Sequence, residues 1–177
     1  MNMKKILFTI LVSAMALAAR AADGYGRFVP EADSYPFIVI SKAEMNLALV
    51  DSCGRVIKSY PIACSKYYGP KERKGDNKTP EGSFKINEIL RSASLTHDFR
   101  DGKGPIKGAY GPWFLRLSVP GFIDIGIHGT HLPGSIGTRA TEGCIRLRNE
   151  DISDLKTRIR LGTPVIILPE GVKVNEE

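Results

Sequence analysis

Seven short apolar runs, each four to eight residues long and each bounded by turn-forming residues, limit what this chain can fold into. They span 37–40, 47–50, 56–63, 82–89, 112–117, 122–127 and 165–168. Runs of this length, rich in β-branched and aromatic residues and punctuated by Gly, Pro, Asp and Ser, read as strands. Ser41-Lys42-Ala43-Glu44 and Asp51-Ser52-Cys53-Gly54 read as hairpin connections between the first three. Ser118-Val119-Pro120-Gly121 reads as the turn between the fifth and sixth. Residues 66–80 form a loop rich in Lys, Gly, Pro, Asp and Asn, and residues 92–108 a polar, irregular insertion. Only one segment has a helical period. Ile152, Leu155 and Ile159 recur at helical spacing, Asn149 can cap, Glu150 and Asp151 suit the first turn, and Gly162 can end the helix. Many short strands and one helix, placed just after Cys144, predict a mainly β sandwich or barrel.

The first residues stand outside this pattern. Lys4 and Lys5 precede an uncharged apolar run at 6–19, and Ala19-Arg20-Ala21 has the small-x-small form of a cleavage site. That is the layout of a secretory signal peptide at 1–21, with an uncleaved N-terminal anchor as the alternative. The run is shorter than the roughly 20 residues of a comfortable spanning helix, and no Cys follows it to mark a lipoprotein. Residues 22–35 then form a polar lead-in, 36–168 the folded domain and 169–177 a tail.

The full chain of 177 residues carries 25 Lys and Arg against 19 Asp and Glu, a formal charge of +6. Cleavage after Ala21 removes three of those positive charges. The remaining basic balance is modest, and it argues for an anionic surface as partner rather than nucleic acid. With 42% hydrophobic and 25% charged residues, the composition excludes a disordered chain and a multi-span membrane protein.

Export sets how the three cysteines read. An odd count leaves at least one thiol free. A strand at 56–63 would hold Cys53 and Cys64 roughly 25 Å apart at ~3.3 Å per residue, too far for a disulfide. Cys144 has a different context. It closes the stretch 123–149, IDIGIHGTHLPGSIGTRATEGCIRLRN, in which a strand brings His128 to its end and a glycine-rich loop returns to Gly143-Cys144. A cysteine nucleophile needs a nearby base to take its proton. Glycines at 126, 129, 134, 137 and 143 let the backbone turn tightly, and N–H groups near Gly143 can hold an oxyanion. His128 and Cys144 alone favour a buried structural thiol beside a hydrogen-bonded histidine.

The whole string is more specific. His128-Gly129-Thr130, Ser135-Ile136-Gly137 and Thr141-Glu142-Gly143-Cys144-Ile145-Arg146-Leu147 resemble the signature of the YkuD/ErfK-type L,D-transpeptidase catalytic domain. The upstream stretches Gly75-Asp76-Asn77-Lys78-Thr79-Pro80-Glu81-Gly82-Ser83-Phe84 and Tyr110-Gly111-Pro112-Trp113-Phe114 resemble that family too. The likeness covers residues 36–168 in the family's order. It implies that Cys144 attacks the carbonyl between meso-diaminopimelate and the terminal D-Ala of a tetrapeptide stem, giving a thioester. His128 is then the base and later the acid, with its imidazole oriented by the Gly129 carbonyl. Gly143 and Cys144 supply the oxyanion hole. Arg146 meets a donor carboxylate or fixes the loop, and Thr141 and Ser135 line or support the donor site; Trp113 and Tyr110 read equally as lining that site or as core packing. An amine of a second stem resolves the thioester into a 3→3 cross-link. The resemblance implies no metal or organic cofactor, peptidoglycan stem peptides as partners, and a location in the periplasm or cell envelope.

One position departs from the family pattern. Many members carry Ser-His-Gly-Cys, and Glu142 stands here where they have the second His. A carboxylate there tends to raise the thiol pKa. His128, His131 and Cys144 could suggest zinc, but no fourth ligand is evident and His97 lies in the polar insertion. Cys64 reads as a simply buried thiol, and Lys66, Lys71, Arg73 and Lys74 as a solvated loop or a face for anionic polymer. The acceptor decides between a transpeptidase that cross-links or attaches protein and a hydrolase that passes the thioester to water. A silent peptidoglycan-binding module is the remaining alternative. No motif reads out the oligomeric state.

Overall fold

The computed structural model describes residues 35–173. The expected signal peptide at 1–21, the expected lead-in up to residue 34 and the last four residues of the expected tail lie outside the described residues. Strands β1 (Phe37–Ser41), β2 (Asn46–Val50) and β3 (Val56–Pro61) form an antiparallel meander joined at the two expected hairpin connections. β4 (Cys64–Ser65) is short, and β5 (Gly82–Arg91) is long. β6 (Thr96–His97) and β7 (Ile106–Lys107) pair with each other. β8 (Trp113–Leu117), β9 (Gly126–His128), β10 (Arg139–Thr141) and β11 (Ile145–Arg146) follow, then helix α1 (Asn149–Arg158) and β12 (Pro164–Ile167). Eight strands make one sheet in the order β11-β9-β8-β5-β12-β1-β2-β3, and β10 pairs with β4 apart from it.

The fold is mainly β, as its short alternating runs require. The sheet curls on itself, so strands distant in its order share one core. Ile38 and Ile40 of β1 and Leu47 and Leu49 of β2 meet Leu115, Ile127, Ile145 and the helix residues Ile152 and Leu155 there. Each such side chain contributes about 2 kcal/mol on burial. β1 is buried on its other face too, where Val39 packs with Ala48, Val50 and Leu168. Burial on both faces explains its unbroken apolar sequence.

Local features differ from the sequence reading in four places. The insertion at 92–108 contains the β6–β7 ladder and is not wholly irregular. Of the run at 122–127 only the end is strand, because Phe122 N–H turns back to the Val119 carbonyl at 3.0 Å. Asn149 does not cap α1; Arg148 is the cap residue without a side-chain bond, and the Asn149 carboxamide oxygen accepts from Thr130 N–H at 2.8 Å. Gly162 does not end the helix either. Backbone at Ile159 is already extended, and Gly162 lies in the next turn.

One charged cluster knots the loops. Lys42, fully buried in the turn just after β1, lies 2.6 Å from Glu81 and 3.1 Å from Glu170. Glu170 also pairs with Arg139 of β10 and accepts from Gly69 N–H. The start of the 66–81 loop, its end, β10 and the C-terminal segment are thus tied to one buried ammonium.

Candidate active site

β9 and β11 run parallel, with Ile145 beside Ile127 and Arg146 beside His128. Side chains alternate along a strand, so Ile127 and Ile145 enter the core while His128 and Arg146 share the opposite face. Cys144, one residue before β11, returns to that face. This register is what brings His128 and Cys144 to one place. Gly126, on the same side of β9, leaves room for the Phe114 ring: a Cβ there would come within 2.3 Å of it. Phe114 in turn lies opposite His128 and stacks on its imidazole, with centroids 5.5 Å apart and planes at 4°.

His128 is buried, and its Nδ1–H donates to the Gly129 carbonyl at 2.6 Å. That bond leaves the Nε2 lone pair as the basic site. Burial pulls the imidazole down to about 3, against the Gly129 bond, and the Arg146 charge adds to the fall. The Cys144 thiol donates to the Asp124 carbonyl at 3.3 Å. Burial pushes it up to about 11, opposed by the Gly126 N–H and the Arg146 and Lys71 charges and helped by Asp124. No hydrogen bond joins the thiol to His128 among the described residues. The resting pair is therefore a neutral thiol beside a neutral imidazole, not a preformed ion pair. Alkylation of Cys144 by iodoacetamide is expected to climb about tenfold per pH unit from pH 7 to 10. Peptide mapping is needed, because Cys53 is exposed while Cys64 is buried. A rate already level at pH 7 would contradict a neutral pair.

The loop before the thiol is held from within. Thr141 Oγ1 donates to the Cys144 carbonyl at 2.6 Å and accepts from Gly143 N–H at 3.2 Å. The Thr141 hydroxyl is thus engaged inside the loop, and the Gly143 N–H is only weakly committed. Gly143 has φ +132°, and a Cβ there would lie 2.7 Å from the Lys78 carbonyl. Both facts require glycine. Arg146 is 4% exposed, and its Nη1 donates to Ser135 Oγ at 2.9 Å. Its Nε has no partner, and no carboxylate pairs with it among the described residues. A buried guanidinium left like this is costly unless an anion completes it.

Tyr110 stands edge-on to His128, centroids 5.0 Å apart at 89°. Burial lifts its hydroxyl to about 12, with the charges of Cys144, Glu142 and Asp124 adding to the rise. Trp113 does not line this cleft. It alternates with Phe114 to the other face of β8, packs on the core, and lies between Arg91 and Lys156, each 4.9 Å from its ring. Lys71 is not a solvated loop residue: it is 2.7 Å from Asp76, with both side chains almost fully buried, and its ammonium lies over Phe122. Lys66, Arg73 and Lys74 are exposed. His131 faces the Ala109 carbonyl and the Phe99 ring. A depression of about 380 Å³ is lined by Ala93, Gly108, Gly111, Pro112 and Asn149, with neither His128 nor Cys144 among them.

Sequence reasoning gave Phe114, Asp124 and His97 no part in the site and read Gly126 only as a turn glycine. The two-residue period from Gly126 to His128 was a readable sign of a shared face. His97 gave none, because only the β6–β7 ladder brings it here.

The arrangement suits acyl transfer through a thioester. Residues 35–167 match the family model described as the L,D-transpeptidase catalytic domain, YkuD. The chain is 30% identical over 139 residues to the putative L,D-transpeptidase YkuD of Bacillus subtilis, covering 78% of this chain and 70% of that protein. It is 47% identical over 153 residues to the probable L,D-transpeptidase YbiS of Escherichia coli, covering 79% of this chain and 47% of that one. Among solved structures, the helical cell shape determining protein Pgp2 of Campylobacter jejuni matches with a TM-score of 0.59 at 22% identity, over 82% of this chain and 51% of that one.

Proposed function

The chain belongs to the YkuD family of L,D-transpeptidase catalytic domains, and on that premise we propose that it is an exported cysteine acyltransferase that remodels peptidoglycan stems. The observation that carries this reading is the meeting of Cys144, the Nε2 face of His128 and an anion-seeking Arg146 on one sheet face. The run at 4–21 supports export to the periplasm or cell envelope, and no helix among the described residues is long and apolar enough to cross a membrane.

In the proposed reaction the thiol turns from the Asp124 carbonyl towards His128. Nε2 takes its proton as sulfur adds to the carbonyl preceding the terminal D-Ala of a tetrapeptide stem. Backbone N–H groups at Gly143 and Cys144 hold the oxyanion. His128 returns the proton to the leaving D-Ala amine, and a thioester remains. The amine of a second stem then attacks the thioester, His128 takes the amine proton, and the thiol is regenerated with a 3→3 cross-link formed. The neutral resting pair fits this order, since charge appears only as substrate arrives.

Arg146 is assigned to a donor carboxylate. Arg146→Met is expected to raise the donor KM about tenfold or more while leaving the melting temperature unchanged or higher, because an unpaired buried charge is replaced by an apolar chain of similar length. A lower melting temperature with unchanged KM would make the residue purely structural. The activity itself is tested by incubating purified protein with disaccharide-tetrapeptide and resolving the products. Cross-linked dimer with release of one D-Ala supports the transpeptidase, tripeptide alone assigns water as acceptor, and unchanged substrate contradicts both.

A further inference from the structure

Glu142, His97 and Tyr110 form a hydrogen-bonded chain that ends against the His128 ring. His97 Nε2 lies 3.2 Å from Glu142 Oε2, and its Nδ1 lies 2.9 Å from the Tyr110 hydroxyl. The direction of these bonds follows from chemistry. A carboxylate only accepts, so Nε2 carries the proton, and in the neutral imidazole Nδ1 accepts from the Tyr110 O–H. The Tyr110 hydroxyl keeps its proton in this setting, as its upward shift requires. Tyr110 then presents its ring edge-on to His128, opposite in kind to the flat stack of Phe114. The far side of the chain starts two residues before Cys144, at Glu142. Nucleophile loop and base are therefore joined through a side chain from β6, a strand far from both in sequence. Phe99 packs edge-on against His97 at 4.4 Å and holds it in place.

We propose that His97 and Glu142 are positioning residues that act through Tyr110 to hold the His128 imidazole in line with Cys144. Neither touches the reacting atoms. Glu142 fixes the His97 tautomer, His97 fixes the Tyr110 hydroxyl, and the Tyr110 ring limits rotation of His128. The inference rests on the reading of Cys144 and His128 as nucleophile and base. It also gives Glu142 a task in this chain at the position where many family members carry histidine.

Two measurements test it, one of them independent of turnover. Long-range proton–nitrogen NMR of the imidazoles is expected to show His97 as the Nε2–H tautomer and His128 as the Nδ1–H tautomer in the wild type, with the His128 signals broadened or shifted in His97→Ala. Single-turnover acylation by tetrapeptide is expected to slow about tenfold in His97→Ala and in Tyr110→Phe, with KM changed less than about twofold. The double variant is expected to be no slower than either single one, because all three residues act as one chain. Glu142→Gln, which keeps an acceptor for Nε2–H, stays within about threefold of wild type, whereas Glu142→Ala falls as far as His97→Ala. Multiplying effects in the double variant, unchanged acylation in His97→Ala, or His128 signals unaffected by His97→Ala would each overturn the proposal. If the wild type does not turn over tetrapeptide at all, the functional reading has failed and the NMR signals still decide the positioning role.

Discussion

Replacing His128 with glutamine is expected to slow acylation of Cys144 by roughly two to four orders of magnitude, the usual contribution of a positioned general base. The size of the effect follows from the resting state. With the thiol held near 11, almost no thiolate exists at neutral pH. Acylation therefore depends on a base that removes the proton as the bond forms. His128 is placed for this by its Nδ1–H bond to Gly129 and its stack on Phe114. Glutamine at 128 can keep a polar contact but offers no basic nitrogen. Stopped-flow acylation at pH 7.5 and again at pH 10 checks the argument: the deficit should shrink at the higher pH, where hydroxide supplies thiolate without help. A deficit independent of pH would mean that His128 orients substrate rather than moving a proton.

Lys42→Met is expected to lower stability by about 3 kcal/mol, a fall of about 10 °C in melting temperature. Removing the ammonium leaves Glu81 and Glu170 facing one another with only Arg139 to compensate. Both carboxylates are largely buried, so water screens them poorly. In the wild type, burial pushes the Glu170 carboxyl up, but the Lys42 bond and the Lys42 and Arg139 charges outweigh it, so it titrates below the usual carboxylate range. The sign follows. A depressed folded pKa gives stability that is present above the unfolded value of about 4.5 and lost as pH falls through the folded one. The variant should therefore lose less stability than wild type between pH 5 and 3. Thermal melts across that range decide it, and a loss under 1 kcal/mol at pH 7 would show the cluster to be incidental.

The strands were legible because each short run carries its own period and its own turn residues, as at 37–50. Cys144 and His128, the proposed nucleophile and base, could be singled out because Gly129, Gly143 and Arg146 sit beside them in one continuous string. What was not legible depends on contacts between distant segments. Lys42 lies in a hairpin connection that reads as polar and exposed, yet its partners stand 39 and more residues away. The β6–β7 ladder carries Thr96, His97 and Lys107, which announce no buried face. Asn149 looks like a cap from its neighbours alone, and only the packing of α1 against the loop after β9 at Thr130 diverts its carboxamide. Trp113 has the chemistry of a ligand platform, but its side of β8 follows from the pairing of Phe114 with His128.

The most direct measurement of the central claim is the intact mass of the protein quenched in acid during turnover of a tetrapeptide stem. The account predicts an adduct of the stem minus D-Ala, mapped to the peptide containing Cys144, absent in Cys144→Ala, and discharged when an amine acceptor is added. Turnover with no adduct at Cys144, or an adduct that persists in Cys144→Ala, would contradict it.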